Sequence, residues 1–200
     1  MKKILITLLF PFTLFSQEPI GSYKIFSKEF KISATEPKEN GDYSLYVDGY
    51  TFDATVSSGG IIVENKKIDD FINGWEQAKE KYIEWTTTAK ENNVTDLNKD
   101  IKVKTPKLSG YFSYGSWKFD WNVSPYFKYL ISESKGKISY ALVLYTGKMQ
   151  ASDNEYIDCD SFAYAFYSIE DINKFISLFD QKLVTDHFEK KNSKEDLFKD

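Results

Sequence analysis

The stretch Tyr43-Ser44-Leu45-Tyr46-Val47-Asp48-Gly49-Tyr50-Thr51-Phe52-Asp53-Ala54 alternates apolar and polar residues on both sides of an Asp-Gly pair. Asp-Gly supplies the positive φ angles that a two-residue hairpin turn needs, and alternation with period two marks a half-buried strand. These residues predict a hairpin that pairs Val47 with Tyr50, Leu45 with Phe52 and Tyr43 with Ala54. All of those side chains then share one face, while Ser44, Thr51 and Asp53 fall on the other. Turn chemistry and alternation agree on which side is core.

Working outward, Tyr23 to Ala34 reads as a strand with Phe26, Phe30 and Ile32 on one face, followed by a turn at Asn40-Gly41. Ile61 to Glu64 is a short apolar strand that feeds a helix. The apolar positions of that helix, Ile68, Phe71, Trp75, Ala78, Tyr82, Trp85 and Ala89, are spaced by alternating threes and fours. A coiled-coil seam shares this repeat but prefers branched aliphatics, whereas Trp and Tyr suit packing on a sheet.

After a polar link from Asn92 to Lys99 the chain becomes aromatic and β-like. Trp117, Phe119, Trp121 and Val123 occupy one parity and are expected in the core. Lys118, Asp120 and Asn122 occupy the other and are expected in water. Tyr126 to Ser132 and Ile138 to Tyr145 follow as strands joined around Lys135-Gly136, and Phe162, Tyr164 and Phe166 alternate in a last strand. Ser168 and Asp171 stand at capping-box spacing before a second helix, whose buried side is Ile169, Ile172, Ile176, Phe179 and Leu183. The tail after Lys190 is polar and is expected to fray.

Two segments echo each other: Leu45 to Gly49 followed by Ile68 to Phe71, and Val143 to Gly147 followed by Ile169 to Ile172. The expected architecture is therefore α+β, a single antiparallel β-sheet with two amphipathic helices packed on one face, with a pseudo-repeat of hairpin, strand and helix. Chance and shared local geometry account for the echo as well as duplication does.

After Met1 come Lys2-Lys3, the apolar run Ile4 to Phe15, and Ser16-Gln17, the pattern of a secretory signal too short to span a bilayer. The expected organisation is a signal peptide over residues 1–17, one α+β domain over 18–190 and a polar C-terminal tail over 191–200. The protein is thus expected to be exported, periplasmic or secreted, from a bacterium. The single cysteine, Cys159, leaves no intramolecular disulfide, so the apolar core must hold the fold. Loss of Lys2 and Lys3 with the leader takes the formal charge from -4 to -6.

All 26 basic residues are lysine. Without a guanidinium fork there is no bidentate clamp for carboxylate or phosphate, and with a negative balance this disfavours nucleic-acid and anionic-membrane partners. A protein partner or a small neutral ligand fits better.

Candidate chemistry is sparse. A Cys159–His187 dyad is disfavoured because Asp158 and Asp160 flank the sulfur and raise its pKa. Asp153, Glu155, Asp158 and Asp160 offer hard oxygen ligands suited to calcium, although their spacing matches no recognisable calcium loop and a solvated connection explains them too. No cofactor motif is present. If the odd-numbered aromatic residues face the helices, Phe112 and Tyr114 remain on the open face as a small ligand-binding patch. The expected function is an exported, non-catalytic binding or interaction domain that uses the open face of its sheet. The alternative is a small carboxylate-dependent hydrolase, acting for example on glycans, which requires acidic residues such as Asp53, Asp120 and Asp160 to converge in a pocket.

Overall fold

The structure is a computed structural model that describes residues 17–196. The predicted signal segment therefore lies, up to Ser16, outside the described residues. The strands are β1 (Glu18–Ile25), β2 (Lys28–Ala34), β3 (Ser44–Asp48), β4 (Tyr50–Thr51), β5 (Gly59–Glu64), β6 (Leu97–Ile101), β7 (Leu108–Tyr114), β8 (Ser116–Val123), β9 (Tyr126–Ser134), β10 (Lys137–Tyr145), β11 (Met149–Gln150), β12 (Asp158–Cys159) and β13 (Phe162–Phe166). The helices are α1 (Ile68–Glu91), α2 (Ile169–Ser177) and α3 (Gln181–Asp196).

The α+β class is as expected, but the single sheet is not. The strands form a six-stranded sheet in the order β1-β2-β3-β5-β7-β8, a five-stranded sheet in the order β4-β13-β10-β9-β6, and a small β11-β12 pair, all antiparallel. The cause lies at Asp48-Gly49, where the expected hairpin does not form. Gly49 does not take a positive φ. Instead of turning back, the chain crosses there from the first sheet, where β3 pairs with β2 and β5, to the second, where β4 pairs with β13. Glycine is required by proximity: a Cβ on Gly49 would lie 3.0 Å from Phe162 Cβ and from the Tyr164 ring. Beyond the crossing, Phe52 is exposed.

Two further readings change. The strand expected over Tyr23 to Ala34 is a hairpin, turning at Phe26-Ser27 with φ of 49° and 67°. Phe26 is not a usual turn former and a lone Ser27 is a weak one, so the turn signal in the sequence is slight. The two echoed segments fall in different sheets, and only the second of their glycines, Gly147, has a positive φ. The echo is therefore no structural repeat.

Other elements follow the pattern closely. The Lys135-Gly136 turn has φ of 53° and 74° and joins β9 to β10. In α1, Ile68, Phe71, Trp75, Ala78, Tyr82 and Ala89 are buried. Ser168 caps α2, its hydroxyl accepting from the Asp171 amide at 3.1 Å. The second helix departs from the pattern: it breaks at 178–180 into α2 and α3, burying Ile172, Phe175, Phe179, Val184 and Phe188, and Ile169 and Leu183, expected on the buried side, are exposed. The polar tail continues as helix through Asp196.

The helices pack on the inner faces of both sheets. Trp75 touches Phe127 and Phe166 of the second sheet and Phe175 of α2, at ring separations of 4.8, 5.6 and 5.1 Å. Tyr23 of the first sheet meets Phe175 at 4.8 Å. Burying large aromatic side chains of this kind supplies most of the driving force for the fold.

Candidate ligand-binding face

Alternation along β3, β5 and β7 sends Leu45, Val47, Ile61, Val63 and Phe112 into the core. Tyr46, Asp48 and Tyr111 are thereby turned to the opposite, outer face. Register aligns Asp48, Gly60, Tyr111 and Phe119 in one row across β3, β5, β7 and β8. The neighbouring row pairs Ser113 with Trp117. Gly60 stands between Tyr111 and Asp48 in this row, and the Tyr111 hydroxyl donates to Asp48 Oδ1 at 2.5 Å.

The parity of β8 is the reverse of the sequence expectation. Trp117 and Trp121 are 56% and 62% exposed. Alternation shows that one side of a strand is apolar, but not which side is covered. The inner side of β8 is covered by β11-β12 and the turn between them, which supply polar partners. Lys118 pairs with Asp153 at 2.9 Å, and Asp120 accepts from the Gln150 amide at 3.0 Å. Ser152 closes the same contact, its amide donating to the Phe119 carbonyl at 2.8 Å. With the polar residues of β8 satisfied there, its aromatic residues face out.

The outer face is thus an aromatic strip. Phe119 and Trp121 are stacked at 5.2 Å with an angle of 4° between their planes. Tyr111 lies 5.8 Å from Trp117 and 5.3 Å from Tyr46. Of the two residues expected to form the patch, Phe112 is 0% exposed and belongs to the core, whereas Tyr114 is exposed. Trp117, Trp121 and Tyr111 fall outside the expected patch because β8 and β7 turn their odd-numbered aromatic residues outward, and Asp48 because the sequence places it in a turn, not at the end of a sheet row.

At the Asp48 end the strip opens into a groove of about 560 Å³, lined by Lys28, Glu29, Lys31, Asp48, Ser57 and Ser58 among others. Ser58 is fixed to β7, its carbonyl accepting from the Ser113 amide at 2.9 Å. Burial raises the Asp48 pKa from 3.8, and hydrogen bonds from Tyr111 and from the Lys31 backbone partly oppose it. Burial, reinforced by Asp48, holds the Tyr111 phenol far above its ordinary range, so it remains a donor. The arrangement can stack a flat ligand face and accept hydrogen bonds from it.

The remaining acidic residues do not join this site. Asp53 Oδ1 accepts from Thr55 and its Oδ2 from the Asp160 amide at 3.1 Å, interactions that lower its pKa, those of Thr55 most. Asp120 is held on β8. Asp153, Glu155, Asp158 and Asp160 are exposed, and Asp158 pairs with Lys148 at 2.9 Å. Among the described residues no group of three or more His, Cys, Asp or Glu is placed to hold a metal ion. Cys159 is buried on β12 with its pKa pushed up to about 12 by burial, then Asp53, while His187 on α3 binds Glu18 at 3.0 Å. Among the described residues no helix is long and apolar enough to cross a membrane.

Fold and face together define an α+β protein of two large sheets and a small strand pair, with an aromatic outer surface. No known protein family, curated protein or solved structure matches the chain.

Proposed function

We propose that this is an exported, non-catalytic binding domain that takes its ligand on the outer face of the six-stranded sheet. The leader pattern supports export. The observation that carries the binding role is the exposure of Trp117 and Trp121 beside the ordered pair of Phe119 and Trp121. Large indole faces left in water cost solvation free energy, and contiguous exposed aromatic surface marks binding sites. The rings are rigid, so little entropy is lost when a ligand docks.

The test is equilibrium binding followed by tryptophan emission, with oligosaccharides, short peptides and the apolar dye ANS as separate probes. At least one class is expected to bind, and W117A and W121A are each expected to weaken it by about tenfold, equivalent to about 1.4 kcal/mol. Both side chains are exposed, so Tm should hardly move. Unchanged affinity in the double variant would remove this face as the site, and steady cleavage of a bound glycan would replace a binding domain with a hydrolase.

A further inference from the structure

We infer that the ligand of this face is a neutral saccharide, and that Asp48 with Tyr111 reads its hydroxyl groups. The inference rests on the binding role proposed above and names the ligand class. Three observations support it.

The first is the alternation of stacking and hydrogen-bonding surface. A sugar ring offers a C–H face that packs on an aromatic ring and a rim of hydroxyls that both donate and accept. Trp117 and Trp121 supply the ring faces, and Ser113, the cross-strand partner of Trp117, supplies a hydroxyl between strip and groove. A protein epitope would ask for a continuous, fully desolvated apolar centre. Here the row from Phe119 to Asp48 carries a tyrosine hydroxyl and the bare Gly60.

The second is charge balance. Lys28 and Lys31 face the groove with Glu29 and Asp48, two cations against two carboxylates. A polyanion gains from the lysines and loses at the carboxylates, and a cationic ligand does the reverse. A neutral ligand meets neither penalty. The groove, at about 560 Å³, lies within the range of small-ligand sites.

The third is the geometry of Asp48. A carboxylate has about four acceptor positions. Tyr111 occupies one on Oδ1, with its proton directed to the oxygen, and the Lys31 backbone amide occupies another, so the two together fix the plane of the carboxyl group. The acceptor positions that remain can be met by donors from the groove, and neighbouring sugar hydroxyls are donors at that spacing. Tyr111 is therefore a positioning residue and Asp48 the contact.

The experiment is isothermal titration of the protein with cellohexaose, xylohexaose, mannohexaose and maltohexaose, and with an oligogalacturonate of equal length as the acidic counterpart. At least one neutral sugar is expected to bind, with the oligogalacturonate at least about tenfold weaker. D48N and Y111F are each expected to lower that affinity by about tenfold and to change the ranking among the neutral sugars, which a merely structural role would leave in place. Should D48N fail to fold, Y111F carries the test, because it keeps the carboxylate and loses only its orienting donor. No binding by any neutral sugar, or preference for the oligogalacturonate, overturns the ligand class. Binding that depends on Trp117 and Trp121 but is untouched by D48N and Y111F overturns the role of Asp48 while leaving the face intact. Binding untouched by the tryptophan variants overturns the face itself.

Discussion

The Tyr164 hydroxyl donates to the Val47 carbonyl at 2.7 Å and accepts from the Ile61 amide at 3.0 Å. Val47 and Ile61 are register partners on β3 and β5, so a side chain of the second sheet bridges two strands of the first. Tyr23 adds a second tie from its own hydroxyl to the Asp48 carbonyl. Y164F should leave a buried amide and a buried carbonyl without this partner, at a cost of about 1–3 kcal/mol. The check is urea unfolding, in which the midpoint should fall with the m-value unchanged. An unmoved midpoint would show that the strands close on each other without the hydroxyl.

The same junction explains the glycines. A Cβ on Gly60 would lie 1.9 Å from the Val47 carbonyl oxygen and 2.9 Å from the Tyr164 hydroxyl. Backbone cannot give way as a flexible side chain can, so G60A should cost about 3 kcal/mol or more. G115A is the control. Gly115 has φ of +69° and open space around it, so alanine there meets only backbone strain of about 1–2 kcal/mol. Thermal melts of the two variants should therefore separate clearly.

Where one element settles its own environment, sequence and structure agree. The α1 stripe is long enough to define one buried face, and the Ser168–Asp171 cap is complete within four residues. Asp48-Gly49 is different, because alternation on both sides of an Asp-Gly pair is compatible with a turn back or with a crossing to a second sheet. What excludes the hairpin is tertiary: Tyr164, more than a hundred residues away, fills the space beside Gly49 and Gly60. The β8 strand shows the same limit. Its period was legible, but its covered side is fixed by Lys118 and Asp153, whose pairing no local pattern encodes. Reading Gly59-Gly60 as a site of close backbone approach would have been the available clue.

The environment of Cys159 gives a kinetic prediction. The thiol is 1% exposed and its pKa is pushed up to about 12 by burial and then by Asp53. Reaction requires thiolate and access, and the native site provides neither. Labelling by Ellman's reagent at pH 8 should therefore be limited by opening of the fold and should accelerate as urea is added. Rapid stoichiometric labelling in native buffer would mean that β12 opens locally.

Two carboxylates should bend the stability profile in opposite directions. Burial raises the folded pKa of Asp48 above 3.8, so the folded chain holds a proton that the unfolded chain releases. Its contribution is present below 3.8 and is lost as pH rises through the raised folded value. Glu18 behaves the other way. Hydrogen bonds from Lys191 and then His187 lower its pKa from 4.5, so its contribution is present above 4.5 and is lost as pH falls through the lowered value. Both sites are neutralised without changing shape by D48N and E18Q. The Tm of D48N relative to the parent should accordingly improve from pH 3 to pH 7, because the variant no longer bears the burial of a charge. The Tm of E18Q relative to the parent should worsen over the same interval, because the parent alone gains the charged contact between β1 and α3. Parallel curves for D48N and the parent would mean that Asp48 is solvated well enough to titrate as it does in the unfolded chain, and the groove would then be open to water down to its floor.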